Sequence, residues 1–209
     1  MNNEPLTTSL CDPARPGFFF GCTPPREGTT PDEARQVCKL FAERSAVLAT
    51  DGFVVYDIQD EGVRTAAPRP FPFRKTMDSA QFASYFQPLS GKECIVYKCA
   101  MESTPADFDG WLQCAHDLGH RALNLVGAPS SRAAGGGLTL LSAAARVRAR
   151  ADGMRFGCVA IPERHTSKGN EHENMGNKAA AGAEWVRPPA LRRYWGCGAG
   201  APCTAHAPV

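Results

Sequence analysis

The sequence predicts an α/β fold in which helices alternate with the strands of a parallel sheet. Short apolar runs recur about every 30 to 40 residues along the 209-residue chain, and amphipathic stretches separate them. Most of the runs end in polar residues, and turn or helix-start signals follow them. This pattern is typical of repeated βα units, and the length suffices for one domain with a full hydrophobic core.

The first two βα units are predicted from clear start and stop signals. Strand one covers Gly17–Thr23, and two prolines stop it. A helix then opens at Thr30, which can form a capping box with Glu33. Strand two covers Gly52–Ile58, a proline-rich loop follows it, and helix two begins near Asp78.

The later units repeat the arrangement. The remaining strands are predicted over Cys94–Ala100, Ala122–Gly127, Phe156–Ile161 and Ala183–Val186. A second capping box opens helix three at Thr104, and helix four covers Leu138–Ala151. A fifth helix lies in the polar segment before strand six, which gives about six strands and five helices. A barrel and an open doubly wound sheet both fit this pattern.

The two ends of the chain fall outside the βα pattern, which occupies residues 17–186. The segment Met1–Pro16 is polar, lacks the apolar stretch of a signal peptide and is predicted to be flexible. Residues 187–209 are rich in proline and glycine, have no apolar period, and are predicted to be irregular or disordered.

Composition argues against several functional classes. The net charge of +2 and the lack of an aromatic-basic stripe do not favour nucleic-acid binding. No apolar run approaches the roughly 20 residues that span a bilayer. The nine cysteines include no C-x-x-C pair, which argues against a zinc knuckle or a disulfide framework. We therefore expect a cytoplasmic protein without a nucleic-acid or membrane partner, and a homo-oligomer is left open.

Three carboxylates, Asp57, Asp60 and Glu61, lie at the carboxyl end of strand two. The carboxyl ends of parallel strands share one edge of the sheet, where α/β proteins place their active sites. Crowded carboxylates raise one another's pKa, and a raised pKa suits acid-base catalysis. We predict a catalytic role for these residues. The alternative is a solvated acidic loop that Arg64 and Arg69 neutralise.

Other polar residues at strand ends are candidate ligand contacts. Lys98 ends strand three, where it is placed to contact an anionic group or a flavin. A metal site was considered for His165, Glu171, His172 and Glu173. Their spacing matches no known zinc motif, and so no metal is predicted.

Several short motifs occur in a fixed order between Gly17 and Val186. They are Phe20–Arg26, Asp51–Glu61 with Arg64-Thr65, Arg69–Phe73, Leu125–Ala128, Val159–His165, and Glu171-His172 with Lys178 and Ala181–Ala183. As an ordered set they resemble the methylenetetrahydrofolate reductase family, and more closely a divergent, reductase-like branch of it. That resemblance implies a (β/α)₈ TIM-type barrel. Because a complete barrel has about 250 residues, we expect an incomplete one here.

The resemblance also implies a cofactor and a reaction. The typical enzyme passes a hydride from NADH or NADPH through FAD to methylenetetrahydrofolate, a folate-type small molecule of one-carbon and methionine metabolism. Glu163 and His165 match residues at the flavin site of the family, and Lys178 matches a lysine near the flavin. Gln59 and Arg64, which belong to the strand-two match, are predicted cofactor contacts with them.

Three departures separate this chain from the typical enzyme. Gly21 stands where the family has its general-acid glutamate, Ala128 stands where it has an aspartate near the flavin ring, and Arg187 begins the segment where it has a glutamine. A general acid contributes roughly 10²–10⁴-fold to the rate. Water or another acid would have to supply that proton, and Asp57, Asp60 and Glu61 at the end of strand two are the nearest candidates.

Three hypotheses remain open from the sequence. The first is a flavin-dependent oxidoreductase of this family, which the ordered motifs favour. The second is a non-catalytic remnant of a longer reading frame, which the loss of pattern after Val186 favours. The third is a flavin- or folate-binding module without turnover.

Overall fold

The computed structural model describes residues 5–12, 14, 17–60, 74–127, 137–161, 165 and 169–187. The strands within these residues are β1 (Phe19–Cys22), β2 (Gly52–Val55), β3 (Cys94–Cys99), β4 (Ala122–Val126), β5 (Arg155–Val159) and β6 (Val186–Arg187). The helices are α1 (Leu6–Cys11), α2 (Pro31–Ser45), α3 (Ser79–Ser90), α4 (Pro105–Asp117), α5 (Leu140–Arg150) and α6 (Glu171–Ala180), with a 3₁₀ turn over Ala100–Glu102.

All the neighbouring strands pair in parallel, and their order in the sheet is their order along the chain. A doubly wound sheet reverses its strand order at a switch point, whereas a βα barrel does not. The uninterrupted order from β1 to β6 is therefore that of a partial TIM-type barrel. This result confirms the predicted fold class and decides between the two architectures that the sequence left open.

The helix starts follow the predicted capping chemistry. The Thr30 hydroxyl accepts a hydrogen bond from the Glu33 N–H, and the Glu33 carboxylate accepts one from the Thr30 N–H, which completes a capping box for α2. At α4, Thr104 accepts from the Asp107 N–H at 3.2 Å. The predicted starts of both helices are confirmed. Asp78 caps α3 through the N–H groups of its first turn.

The outer face of the sheet packs against the helices and forms the larger core. Its strand residues are Cys22, Phe53, Val55, Cys94, Val96, Leu123, Leu125, Phe156 and Cys158. Fully buried helix residues such as Phe82, Phe86 and Leu112 pack on them. The strand cysteines lie inside the protein, and burial raises the pKa of the Cys22 thiol to about 12, so this thiol stays protonated.

The inner face carries a smaller cluster, which α1 closes at the amino-terminal end of the strands. Leu6 is 5 % exposed and packs with Phe19 and Val54. The Leu6 N–H donates to the Glu93 carboxylate at 3.2 Å, and Arg155 donates to the Thr7 carbonyl. The predicted flexible segment Met1–Pro16 therefore contains a docked helix, because the apolar residues of α1 find a partner inside the sheet.

The last strand differs slightly from its prediction over Ala183–Val186. The Glu184 N–H and the Trp185 carbonyl already bond to β5, but the regular ladder covers Val186 and Arg187 only. Residues 188–209, predicted to be irregular, lie outside the described residues. The longest described helix, α2, has 15 residues, and none of the described helices could span a bilayer.

Candidate functional site

Asp57 lies at the carboxyl ends of β2 and β3 and bridges them. Its Oδ2 accepts a hydrogen bond from the Cys99 N–H at 2.7 Å, and its Oδ1 accepts one from Gln59 Nε2 at 2.6 Å. The β2–β3 register ends at the pair Val55 and Val96. Beyond that pair, the carboxylate of Asp57 supplies the acceptor that a strand would otherwise provide. Gln59 in turn orients this carboxylate.

The environment of Asp57 favours its protonated form. Burial raises the pKa of its carboxyl group, and the negative charge of Asp78 raises it further. The Cys99 N–H and the positive charges of Lys98 and Lys75 act in the opposite direction, but the net shift is upward. A carboxyl group with a raised pKa at the strand ends can hold a proton and deliver it to a ligand.

Lys98 leaves β3 on its outer side and reaches into the helix layer. Its Nζ lies 3.8 Å from Asp78 Oδ2 and 5.0 Å from the centroid of the Trp111 ring. Trp111 Nε1 donates to the same Asp78 oxygen at 2.7 Å. The predicted strand-end lysine is thus balanced by a carboxylate and an aromatic face. Its contact with an anionic cofactor stays a prediction.

A second charged group fixes the carboxyl end of β5. Lys178 Nζ donates to the Val159 carbonyl at 2.7 Å and lies 3.5 Å from Glu171 Oε1. The same Glu171 oxygen accepts from the Ile161 N–H at 2.9 Å. Burial acts to raise the pKa of Glu171, but the hydrogen bonds from Ile161 and Asn174 and the charge of Lys178 outweigh it, and the pKa is lowered. Glu171 is therefore an ionised, buried anchor for α6.

The other predicted site residues are less closely tied to the sheet. Asp60 is exposed and accepts from the Lys75 N–H at 3.1 Å. The exposed His165 ring packs edge-on against His172, with 5.3 Å between the ring centroids. Glu61, Arg64 and Glu163 lie outside the described residues, as do Arg69 and Ala128. The structure brings together Asp57, Gln59 and Lys98, and it separately joins Lys178 to Glu171.

Sequence reasoning missed a row of inward-facing residues at mid-height in the sheet. We call Tyr56, Tyr97, Asn124, Gly157 and Trp185 the inner row. Tyr97, Asn124 and Gly157 are register partners on adjacent strands, and Tyr56 and Trp185 continue the row on either side. The Tyr56 and Tyr97 rings meet edge to face at 5.2 Å.

Two side chains of the inner row, Asn124 and Trp185, have polar atoms without a hydrogen-bond partner. Asn124 is fully buried, and neither its Oδ1 nor its Nδ2 makes a hydrogen bond. Trp185 Nε1 is also buried and without a partner. The sequence signal that could have identified this site is a single amide, Asn124, in the otherwise apolar segment Ala122–Val126. Its inward position follows from the alternation of side chains along a strand.

Two glycines let aromatic rings lie flat against this face. A Cβ on Gly157 would lie 2.0 Å from Trp185 Nε1, and a Cβ on Gly21 would lie 2.7 Å from the Tyr56 hydroxyl. The position where the resemblance placed a lost general acid is therefore filled by a tyrosine ring. Burial raises the pKa of Tyr56, so that its hydroxyl is protonated near neutral pH.

Comparison with known proteins supports the fold. No protein-family model matches the chain, and no curated protein matches it. A solved protein from Clostridium thermocellum, described as uncharacterized and as binding two copies of 5-methyl-5,6,7,8-tetrahydrofolic acid, superposes with a TM-score of 0.64 and 24% identity. The match covers 84% of this chain and 55% of that one, so this chain spans about half of its length.

A second solved structure is more distant. The 4-hydroxy-tetrahydrodipicolinate synthase of Methylacidiphilum fumariolicum SolV matches with a TM-score of 0.48 and 14% identity, over 79% of this chain and 51% of that one. Similarity at this level supports no functional argument. The strand order and the superposition on the Clostridium thermocellum protein together establish that this chain has the fold of a partial TIM-type barrel.

Proposed function

We propose that this barrel binds a folate-type small molecule at the carboxyl ends of its strands, with Asp57 as the proton donor of the site. The observation that carries the proposal is the Asp57 carboxyl group, which is held at the ends of β2 and β3 and whose pKa burial raises. The folate ligand of the Clostridium thermocellum protein supports the choice of ligand. The motif set that resembles the methylenetetrahydrofolate reductase family supports it independently.

The chemistry expected of Asp57 is proton delivery. Its protonated carboxyl group can donate to a ring nitrogen of a bound folate, while the Cys99 N–H and the Gln59 amide hold the carboxyl group in place. Gly21 offers no acid on β1, which leaves Asp57 as the best-supported donor among the described strand ends. Such a donor contributes about 10²–10⁴-fold where protonation limits the reaction.

The finer hypothesis is flavin-dependent reduction with NADH or NADPH, and the ordered motifs favour it. FAD would supply hydride transfer when bound. Lys98 and Lys178, the two lysines predicted to contact the cofactor, are already paired with Asp78 and Glu171, so neither offers an unpaired positive charge to its diphosphate. We therefore derive no catalytic step through the flavin, and we treat this activity as a separate question for experiment.

The test of ligand binding is a calorimetric titration of the purified protein with 5-methyltetrahydrofolate and, separately, with FAD. We expect saturable binding of the folate. Failure of the protein to bind it at millimolar concentration would contradict the proposal. Anaerobic addition of NADH or NADPH to any FAD complex then tests the finer hypothesis, since reduction bleaches the flavin absorbance.

The role of Asp57 is tested with a matched pair of substitutions. Asp57→Asn removes the acid but keeps an oxygen for the Cys99 N–H, whereas Asp60→Asn changes an exposed carboxylate of the same loop. We expect only the first to slow any folate-dependent reaction, by 10²-fold or more. Equal activity of the two variants would remove Asp57 from the mechanism.

A second candidate function is a folate- or flavin-binding module without turnover. The specific observation in its favour is the Tyr56 ring, which occupies the space beside Gly21 where the related enzymes carry an acid. Tight folate binding with no reaction in the presence of FAD and NADH or NADPH would favour the module over the enzyme.

A further inference from the structure

The inner row contains buried polar atoms that the fold itself does not use. Asn124 is 0 % exposed and Trp185 is 7 % exposed, yet the amide of the first and the indole N–H of the second have no hydrogen-bond partner. Burying such groups without partners is unfavourable, and buried polar groups in native proteins are nearly always satisfied. Their position therefore requires an explanation outside the folding of the sheet.

The unpartnered groups lie next to each other. Gly157 is the register partner of Asn124, and neighbouring strands lie about 4.8 Å apart. Trp185 Nε1 lies 2.0 Å from the point where Gly157 would carry a Cβ, so the indole N–H sits beside the amide of Asn124. On the other side of Asn124, its register partner Tyr97 stands edge to face with Tyr56. The amide thus has aromatic rings on both sides.

We propose that Asn124 and Trp185 form the floor of a slot that binds the lactam edge of a flat heteroaromatic ring, such as a pterin or a flavin. This inference rests on the proposed function and names the part of the ligand that is recognised. A side-chain amide offers one donor and one acceptor, which match the C=O and N–H of a lactam. The Trp185 N–H donates to a second acceptor of the ring, and Tyr97 lies against one of its faces.

The glycine of the inner row explains how a ring reaches a buried amide. Because Gly157 has no side chain, the Trp185 ring rests directly against the sheet and covers the neighbourhood of Asn124. A ligand reaches Asn124 when the Trp185 ring tilts away from Gly157. Above the row, at the carboxyl ends of β4 and β5, the described residues Val126 and Val159 are half-buried.

A single ordered water between the two groups is the competing explanation, because one water satisfies two to four polar atoms. The two explanations differ in what Asn124→Leu does. If a water satisfies the amide, the substitution loses those hydrogen bonds and lowers the free energy of unfolding, whereas if the amide is unpaired in the free protein, the stability is unchanged or higher. Only a ligand slot predicts that it also weakens the binding of ring compounds.

The experiment uses two probes that carry the lactam ring without phosphate or glutamate, namely 6-methylpterin and riboflavin. Each is titrated calorimetrically into the wild-type protein, Asn124→Leu, Trp185→Phe and a control, Gln113→Leu, which removes an exposed amide from α4. We expect Asn124→Leu to weaken binding of the preferred ring by at least about tenfold and Trp185→Phe to weaken it less, with no change in the control. The preferred probe distinguishes a pterin slot from a flavin slot.

Two results overturn the inference: neither ring binds the wild-type protein, or Asn124→Leu binds both as tightly as the wild type does. Thermal unfolding of the same preparations shows whether Asn124→Leu is folded, and Asn124→Ala, which removes the amide without adding bulk, repeats the test if it is not. If 5-methyltetrahydrofolate binds without any dependence on Asn124, the slot fails and the proposed function stands. If a ring binds through Asn124 but the folate does not, the slot stands and the proposed function fails.

Discussion

The two faces of the sheet differ in the kind of side chain that the same strands place on them. On the outer face, Phe53 and Val55 pack against the helices with their neighbours, and the strand residues of that core are apolar. On the inner face, the same height of the sheet carries Tyr97, Asn124 and Trp185, and the side-chain amide of Asn124 and the indole N–H of Trp185 lack hydrogen-bond partners. The apolar side chains of the outer face stabilise the fold. The buried polar atoms without partners on the inner face reduce that stability, as is common at functional sites.

The charged groups at the strand ends also differ from one another. Glu171 and Lys178 at β5 complete hydrogen bonds of the backbone and hold α6 in place. Asp57 also accepts a backbone hydrogen bond, but its pKa is raised, whereas that of Glu171 is lowered. The pKa values of these two carboxyl groups are therefore shifted in opposite directions, and of the two, Asp57 is the better suited to donate a proton.

The largest expected effect is on the outer face. Phe86 is fully buried, and its ring centroid lies 4.7 Å from that of Phe53 and 5.0 Å from that of Phe41. Phe86→Ala should lower the free energy of unfolding by about 3–5 kcal/mol, because it leaves a cavity in a packed core. Trp185→Phe on the inner face should cost much less. Urea unfolding measures both, and equal losses would contradict the division between the faces.

The outer face was also the part that the sequence predicted best. Apolar periodicity located each strand to within a few residues, and the capping residues Thr30 and Thr104 located two helix starts. These signals are local, because a cap or an alternating strand is encoded within a few neighbouring residues. The docking of α1 was missed because its partner, the inner cluster, is assembled from distant strands.

The candidate site was less predictable for the same reason. The sequence placed Asp57 and Lys98 at strand ends correctly, but it did not show that Lys98 faces Asp78 and Trp111. Asn124 was hidden in an apolar strand, and its importance appears only when Gly157 is seen beside it. Pairing across strands is a property of the whole sheet, which one strand's sequence does not contain.

At the end of β5, Glu171→Gln should lower the free energy of unfolding by about 1–3 kcal/mol at pH 7. The folded-state pKa of Glu171 is lowered, so its contribution is present above its ordinary pKa of about 4.3 and is lost as the pH falls through the folded value. The difference between wild type and variant should therefore shrink in acid. Glu173→Gln, on the exposed side of the same helix, is the control. A difference that does not change with pH would contradict the ionised anchor.

The close contact between Gly157 and Trp185 on the inner face can be tested by adding a methyl group to the glycine. Gly157→Ala would place a Cβ 2.0 Å from Trp185 Nε1, and so the indole must move. We expect a loss of about 1–3 kcal/mol in the free energy of unfolding and a shift in tryptophan fluorescence. Gly110→Ala, at a helical position of α4 where a Cβ meets nothing within 4 Å, should instead stabilise the protein slightly. Similar results for both variants would mean that Trp185 is not held against Gly157.

The smallest expected effect on stability is at Asp57. Because its folded-state pKa is raised, its favourable contribution is present below its ordinary pKa of about 3.9 and is lost as the pH rises through the folded value. The Asp57→Asn side chain does not ionise, so the variant does not lose stability as the pH rises. It should be as stable as wild type or up to about 1 kcal/mol more stable at pH 7.5, with no gain at pH 3. Urea unfolding at both pH values measures the change, and Asp60→Asn serves as the control. Marked destabilisation of Asp57→Asn at pH 7.5 would show that the carboxylate is needed in its charged form, as at Glu171, and that the two strand ends do not differ in the way proposed.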